Sequence, residues 1–183
     1  MSEAVKTQKS SSEMFRLVIT LFAISAICAM LLGMVNAITA DPIQQAQKEK
    51  TQAAMQEVLA ADTYSELDYA GSDATVVTVY QAGDAGYVVQ VQPSGFGGVI
   101  DMMVGVDRAG SCTGVSIVEM SETAGLGANA SKEEFRQQFV GQSGTVAVTK
   151  DGGTIDALTG ATITSRAVSN GVTSALAAVA ELG

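Results

Sequence analysis

The 183-residue chain contains no histidine, two cysteines, and ten Lys and Arg residues against nineteen Asp and Glu residues. Without histidine, the Ser-His-Asp and Cys-His catalytic arrangements are excluded, and the commonest protein ligand of transition metals is missing. The formal net charge of −9 leaves no basic patch for a phosphate backbone, so we expect no nucleic-acid partner. An enzyme of this composition would need a cofactor to carry its chemistry.

The two cysteines predict neither a disulfide nor a metal site. Cys28 lies within an apolar segment and Cys112 lies far beyond it, so the two thiols are not expected to meet within one chain. The sequence contains no cluster of Cys and His residues at the spacing of a zinc or iron–sulfur site. We therefore expect no bound metal.

One long apolar segment predicts a membrane span. Residues 17–40 include no charged residue, and as a helix they would extend roughly 36 Å, enough to cross a hydrocarbon core of about 30 Å. Lys and Arg exceed Glu three to two in residues 1–16, whereas residues 41–183 hold seventeen Asp and Glu against seven Lys and Arg. The positive-inside rule then predicts a cytoplasmic tail at 1–16 and an exported domain. A cleaved signal peptide ending in the small residues 37–40 is the alternative.

The remainder of the chain predicts a linker and one α+β domain. Asp41-Pro42 is expected to end the span, and Pro42 to open a linker helix and connection over 41–74. Residues 75–183 predict an antiparallel sheet with packed helices, and residues 83–86 form the turn of its first hairpin. The expected strands cover 75–80, 87–92, 99–107, 114–119 and 145–149. Helices are expected over 131–140, where Ser131 and Glu134 form a capping box, and over 164–180.

The segment 156–165, Asp-Ala-Leu-Thr-Gly-Ala-Thr-Ile-Thr-Ser, is the most informative part of the sequence. It predicts a strand end, a turn of small residues and a helix start. Backbone N–H groups and the positive end of the helix dipole favour an anion such as phosphate at such a turn. Thr162 presents a hydroxyl group at the same place. The alternative interpretation is that Thr162 is an ordinary helix N-cap.

Two glycine-containing segments precede this turn. Ser94-Gly-Phe-Gly-Gly-Val-Ile-Asp-Met-Met-Val-Gly-Val-Asp107 predicts irregular backbone before a strand, for a ligand or simply for a bulge. Glu122-Thr-Ala-Gly-Leu-Gly127 predicts a loop whose backbone contacts a flat ligand, or else a solvated loop. The first of these segments is not a P-loop, because no Gly-Lys-Ser/Thr follows, and its glycines do not lead into a helix as those of a dinucleotide fingerprint do.

The three segments, in this order, resemble the FMN-binding domain shared by the G subunit of the Rnf complex and the C subunit of the sodium-pumping NADH:quinone oxidoreductase. The similarity extends over about residues 85–180, and the N-terminal apolar segment fits as well. In that family, Ser/Thr-Gly-Ala-Thr carries FMN through a phosphoester to its last threonine, which is Thr162 here. A flavin transferase reads the surrounding pattern, which includes an upstream Asp matched by Asp156. Ala124 departs from the family's proline, and Met120 departs from a frequent histidine.

The resemblance implies a cofactor site made of the attachment motif and the second glycine-containing loop. The implied FMN-binding residues are Thr162 as the covalent attachment point, together with Thr159, Gly160, Ala161, Thr164, Ser165, Glu122, Thr123, Gly125, Leu126 and Gly127. No residue is expected to act as a catalytic acid, base or nucleophile during turnover.

The resemblance also implies a function in electron transfer. We expect an electron-relay subunit, not an autonomous enzyme, of a cell-membrane Rnf complex that couples ferredoxin oxidation and NAD reduction to Na⁺ or H⁺ translocation. Its partners would be the other membrane subunits and, during maturation, the flavin transferase. The uncharged span makes it a poor ion path. The alternatives are the C subunit of the quinone reductase, a stand-alone extracytoplasmic flavoprotein, and a non-redox anchored module.

Overall fold

The computed structural model describes the backbone of residues 2–182 and the side chains of residues 13–182. The chain divides into two compact units, Met1–Lys48 and Glu49–Gly183. The first element is a single helix, α1 (Ser2–Val58). Among the described residues it is the one helix long and apolar enough to cross a membrane, with a mean hydropathy of 2.5 in its most apolar part.

The predicted helix break at Asp41-Pro42 is wrong, because α1 continues through Pro42. A proline inside a helix removes one backbone hydrogen bond and crowds the carbonyl four residues earlier, but it does not always end the helix. Here the proline is followed by a run of Gln, Ala, Lys and Glu residues, which have high helix propensity and continue the helix beyond it.

The domain is built on a five-stranded antiparallel sheet whose strands lie in chain order. The strands are β1 (Ser65–Leu67), β2 (Val76–Ala82), β3 (Gly86–Val91), β4 (Asp101–Asp107) and β5 (Cys112–Glu119). The predicted first hairpin is confirmed, since Ala82 pairs with Gly86 across the turn. The predicted α+β fold class with an antiparallel sheet is therefore confirmed, although the short strand β1 was not predicted.

The sheet is buried on both faces at β4, because successive side chains of a strand point to opposite faces and the five central residues of β4 are all buried. Met102 and Val104 belong to a core shared with Val168 and Val172 of the last helix, α3 (Thr162–Leu182). Met103, between them, belongs to a second cluster with Ala54, Met55 and Val58 at the end of α1. Each fully buried apolar side chain contributes roughly 1.5–3 kcal/mol, so the two layers stabilise the sheet from both sides.

The predicted strand over 145–149 is wrong. Val148 makes only an isolated parallel bridge to Ile155, and a 3₁₀ helix, Thr149–Asp151, follows directly. Val146 and Val148 are buried in the core, so their alternation reflects packing and not strand pairing. The backbone N–H of Val146 donates to Thr173 Oγ1 at 2.9 Å, which supplies the partner that a neighbouring strand would otherwise provide.

The predicted helix over 131–140 with a capping box is also wrong in detail. The helix α2 covers only Glu133–Arg136 and lies between two 3₁₀ helices, Gly127–Ser131 and Gln137–Phe139. Lys132 occupies the N-cap position and makes no side-chain capping bond. The Ser131 hydroxyl donates to the carbonyl of Ala128 at 2.9 Å, so this local bond replaces the expected cap.

Candidate functional site

Hydrogen bonds to a buried serine fix the turn that precedes α3. Ser165 is fully buried, and its hydroxyl accepts the N–H of Leu158 at 3.0 Å and donates to the carbonyl of Ala161 at 3.0 Å. The backbone N–H of Ala161 donates to the carbonyl of Leu158 at 3.0 Å, which closes the turn. Gly160 has φ +76°, a left-handed conformation that disfavours any side chain. Thr162 follows as the first residue of α3 and is half-buried.

Glu122 joins three segments that are distant in sequence. Its Oε1 accepts the backbone N–H groups of Phe96 and Gly97 at 2.8 and 3.0 Å, and its Oε2 accepts the Thr164 hydroxyl at 2.8 Å. A Cβ atom at Gly127 would lie 2.5 Å from Glu122 Oε2 and 2.7 Å from Thr164 Oγ1. A side chain at 127 would displace these two groups, so glycine at this position preserves the contact between Glu122 and Thr164.

A cation lies beside the Thr162 hydroxyl. Lys150 Nζ donates to Thr162 Oγ1 at 3.2 Å from the neighbouring 3₁₀ helix. The next residue, Asp151, accepts two hydrogen bonds of 2.6 Å from Arg166, which lies one turn beyond Thr162 on α3. The hydrogen bonds from Arg166 hold the pKa of Asp151 below its ordinary value, and the same carboxylate raises the pKa of Arg166.

These elements enclose a cleft of about 440 Å³, within the usual size range of small-molecule sites. Three large apolar side chains on its wall are exposed, Phe96 by 68%, Leu126 by 44% and Ile163 by 51%. The cleft therefore combines an apolar wall with a hydroxyl and an ammonium group at the start of a helix.

The structure brings most of the expected site residues to this cleft. Those that line it are Glu122, Thr123, Leu126, Gly127, Gly160, Ala161, Thr162 and Thr164. Three others do not line it: Thr159 is exposed on the turn, Gly125 has φ +78° in the preceding loop, and Ser165 is buried beneath the turn. Asp156 is exposed, and its backbone N–H donates to Gln138 Oε1 at 2.7 Å.

Sequence reasoning missed three lining residues: Phe96, Lys150 and Ile163. Phe96 stands in the Gly-Phe-Gly-Gly segment, and Ile163 stands inside the attachment motif, so both carried a signal. No sequence pattern pointed to Lys150, because its proximity to Thr162 depends on the fold of the 3₁₀ helix.

Other reactive groups lie away from the cleft. Cys112 is buried, and burial raises the pKa of its thiol to about 11, so the reactive thiolate is disfavoured. Within residues 13–182, whose side chains the structure describes, no group of three or more His, Cys, Asp and Glu residues is arranged to hold a metal ion. The cleft therefore offers the Thr162 hydroxyl and the Lys150 ammonium group beside an apolar wall on which a ligand can lie.

The apolar wall, the hydroxyl and the ammonium group of the cleft suit an anionic, partly apolar cofactor, and the described residues include one helix long enough to span a membrane. Residues 95–177 match the family model of the FMN-binding domain, and residues 1–58 match that of the RnfG N-terminal region. Over 179 residues, the chain is 37% identical to the G subunit of the ion-translocating oxidoreductase complex of Methanosarcina acetivorans, covering 91% of this chain and 94% of that protein. The chain belongs to the RnfG family, the G subunits of ion-translocating oxidoreductase complexes.

A further relative supports this assignment, and a solved structure shares the fold. The G subunit of the Na(+)-translocating ferredoxin:NAD(+) oxidoreductase complex of Acetobacterium woodii is 35% identical over 191 residues, covering 91% of this chain and 92% of that protein. The crystal structure of the C subunit of the Na(+)-translocating NADH-quinone reductase from Parabacteroides distasonis superposes with a TM-score of 0.51 at 20% identity, covering 73% of this chain and 82% of that chain. The second likeness shows a shared fold, whereas the sequence relatives are named as G subunits. The family expected from the three motifs is confirmed.

Proposed function

We propose that this chain is the electron-relay G subunit of a membrane-bound complex that couples ferredoxin oxidation and NAD reduction to Na⁺ or H⁺ translocation, with FMN attached covalently to Thr162. The observation that carries the proposal is the position of Thr162. It is the first residue of α3, and its hydroxyl lies in a cleft lined by the residues of the attachment motif and of the Glu122–Gly127 loop.

The residues of the cleft fit FMN. The N-terminus of the 21-residue helix α3 and the ammonium group of Lys150 both favour a phosphate group at Thr162. The exposed side chains of Phe96, Leu126 and Ile163 suit a flat, largely apolar ring system. When bound, FMN would supply the one- or two-electron transfer that the side chains of this chain cannot supply.

Attachment uses the Thr162 hydroxyl once. A flavin transferase would supply FAD, and the Thr162 oxygen would form a bond to the phosphorus of its FMN half. The pyrophosphate bond of FAD breaks in the same step, AMP leaves with the bonding electron pair, and the hydroxyl proton passes to a base of the transferase. The hydrogen bonds of Ser165 fix the turn that precedes Thr162, and Thr162 lines the cleft. A covalent tether keeps the cofactor at a high local concentration in a compartment where free FMN would be dilute.

The span over residues 17–40 would place residues 1–16 in the cytoplasm and the FMN domain, residues 75–183, outside it, with 41–74 as the linker. The charge distribution supports this orientation, because the cationic excess lies before the span and the strong anionic excess after it. The complex would contribute the other membrane subunits as partners.

In-gel flavin fluorescence after denaturing electrophoresis tests the proposal. The full chain is produced with a flavin transferase as wild type, Thr162→Ala and Thr162→Ser. We expect fluorescent wild-type and Thr162→Ser bands, a dark Thr162→Ala band, and a mass increase equal to FMN less one water on the fluorescent proteins. A dark wild-type band, or a fluorescent Thr162→Ala band, would overturn covalent attachment at Thr162.

A further inference from the structure

We propose that Lys150 is the cation that pairs with the phosphate group on Thr162 and assists its attachment. The inference rests on the proposed attachment of FMN to Thr162. It assigns a role to a residue outside the attachment motif, twelve positions before the threonine in the sequence.

The position of Lys150 is the first observation. Its Nζ lies 3.2 Å from Thr162 Oγ1, the atom that would bear the phosphoester. A hydroxyl oxygen is a neutral acceptor, so an exposed lysine gains little from this contact alone. Once the oxygen carries a phosphodiester, the same ammonium group lies beside a full negative charge, and the contact becomes a charge-assisted interaction.

The second observation is the way in which Lys150 is held. It lies on the 3₁₀ helix Thr149–Asp151, and Asp151 is bound by two 2.6 Å hydrogen bonds to Arg166 on α3. This pair ties the 3₁₀ helix to the helix that begins at Thr162. The ammonium group therefore approaches Thr162 from a segment that is anchored to the same helix.

The third observation is that the charge of Lys150 is available. Asp151 beside it is engaged by Arg166, and the Glu122 carboxylate across the cleft already accepts three hydrogen bonds. The three ion pairs among the described side chains do not include Lys150. Asp151 attracts this ammonium group only through space, because its hydrogen bonds are made with Arg166, so the ammonium can still neutralise an incoming anion.

The charge of the surrounding domain increases the effect that such a cation has on an incoming anion. Residues 49–183 contain sixteen Asp and Glu residues and only six Lys and Arg residues, so the domain as a whole repels an anion. During attachment, the Thr162 oxygen gains negative character as its proton leaves, and this charge passes to the phosphoryl oxygens and the departing AMP as the bond to phosphorus forms. Lys150 stabilises that charge, and it afterwards pairs with the phosphodiester that remains when AMP has departed.

The test is the initial rate of covalent labelling of the full chain in detergent, with purified transferase and FAD. It compares wild type with Lys150→Met, Lys150→Arg and the matched control Lys132→Met, which removes an exposed lysine of the same domain. We expect labelling of Lys150→Met to be roughly tenfold slower, because an exposed charge-assisted contact is partly screened. Lys150→Arg should label within about threefold of wild type, and Lys132→Met at the wild-type rate.

Salt separates a charge effect from a structural one. The labelling rate of wild type divided by that of Lys150→Met should fall towards one as the salt concentration rises from about 0.05 to 0.5 M. Any effect of salt on the transferase itself changes both rates alike and cancels in this ratio. Equal rates for wild type and Lys150→Met would overturn the inference while leaving attachment intact. So would a Lys150→Arg variant as slow as Lys150→Met, or a salt-independent ratio. A wild-type chain that is never labelled would instead overturn the proposed attachment, and the role of Lys150 with it.

Discussion

Substitution of Glu122 should loosen the cleft without removing any group that bonds to the cofactor phosphate. The carboxylate accepts hydrogen bonds from Phe96 N, Gly97 N and Thr164 Oγ1 and so connects the first glycine-containing segment to α3. In Glu122→Gln, one oxygen still accepts the two backbone N–H groups. The new amide NH₂ then faces the Thr164 hydroxyl, which has lost its acceptor and belongs to a residue that is only 1% exposed.

The magnitude follows from these three bonds. A buried hydroxyl left without an acceptor costs about 1–3 kcal/mol, so Glu122→Gln should destabilise the structure around the cleft by roughly 2 kcal/mol. Glu122→Ala removes all three bonds, but water replaces part of the loss at Phe96 and Gly97, because both residues are exposed. We expect about 2–4 kcal/mol for that variant.

Hydrogen exchange measured by mass spectrometry tests this expectation locally. Because 1.36 kcal/mol corresponds to a tenfold change, a loss of about 2 kcal/mol in Glu122→Ala predicts roughly 30-fold faster exchange in peptides covering residues 94–99. Glu122→Gln keeps the acceptor of Phe96 N and Gly97 N, so we expect a smaller increase in that variant. Glu134→Gln, which alters an exposed carboxylate on α2, is the control and should exchange like wild type. Wild-type exchange of residues 94–99 in both Glu122 variants would refute the argument that this side chain holds the cleft together.

Three further changes test the core and the electrostatics of the domain. Phe139→Ala removes a fully buried ring that packs edge-on against Phe135 at 5.4 Å, and should lower the free energy of unfolding by about 3–5 kcal/mol in urea titrations. Burial raises the pKa of the Cys112 thiol from 9.0 to about 11, so its contribution to stability is complete below pH 9 and is lost as the pH rises towards 11. Cys112→Ala should therefore abolish that part of the alkaline decline in urea titrations, and a maleimide should label Cys112 only on unfolding. Arg166 lowers the pKa of Asp151, so the ion pair stabilises the fold above pH 3.8. This stabilisation is lost as the pH falls further, through the lowered pKa of Asp151. The melting-temperature difference between wild type and Asp151→Asn should shrink below pH 3.8, and a constant difference would contradict the assignment.

The strands were predictable where alternation and turn residues agreed. The hairpin of β2 and β3 combines β-branched residues with the Gly83-Asp-Ala-Gly86 turn, and each signal supports the other. Alternation alone misled at 145–149, because Val146 and Val148 are buried by packing against the core without a partner strand. The strand β1 has only three residues, Ser65–Leu67, too few for any pattern to identify it.

The helix boundaries were less predictable than the helices. Pro42 removes one hydrogen bond from α1, and the propensity of the flanking residues outweighs that loss. Ser131 and Glu134 have the spacing of a capping box, yet the Ser131 hydroxyl bonds to Ala128 in a 3₁₀ helix that already occupies this segment. In both places, a local rule failed because neighbouring residues offered the backbone another set of hydrogen bonds.

The cleft divides into a part that a motif specifies and a part that only the fold assembles. Gly160, Ala161, Thr162 and Ser165 form the turn through contacts within eight residues, so the motif alone predicts where the hydroxyl lies. Lys150 reaches Thr162 through the Val148–Ile155 bridge and the pair of Asp151 with Arg166, and neither contact leaves a periodic pattern in the sequence. The proposed attachment point is therefore encoded locally, whereas its cation depends on the packing of two segments. If that division is correct, Asp151→Asn should slow flavin labelling in the same direction as Lys150→Met, although Asp151 itself contributes a repelling charge.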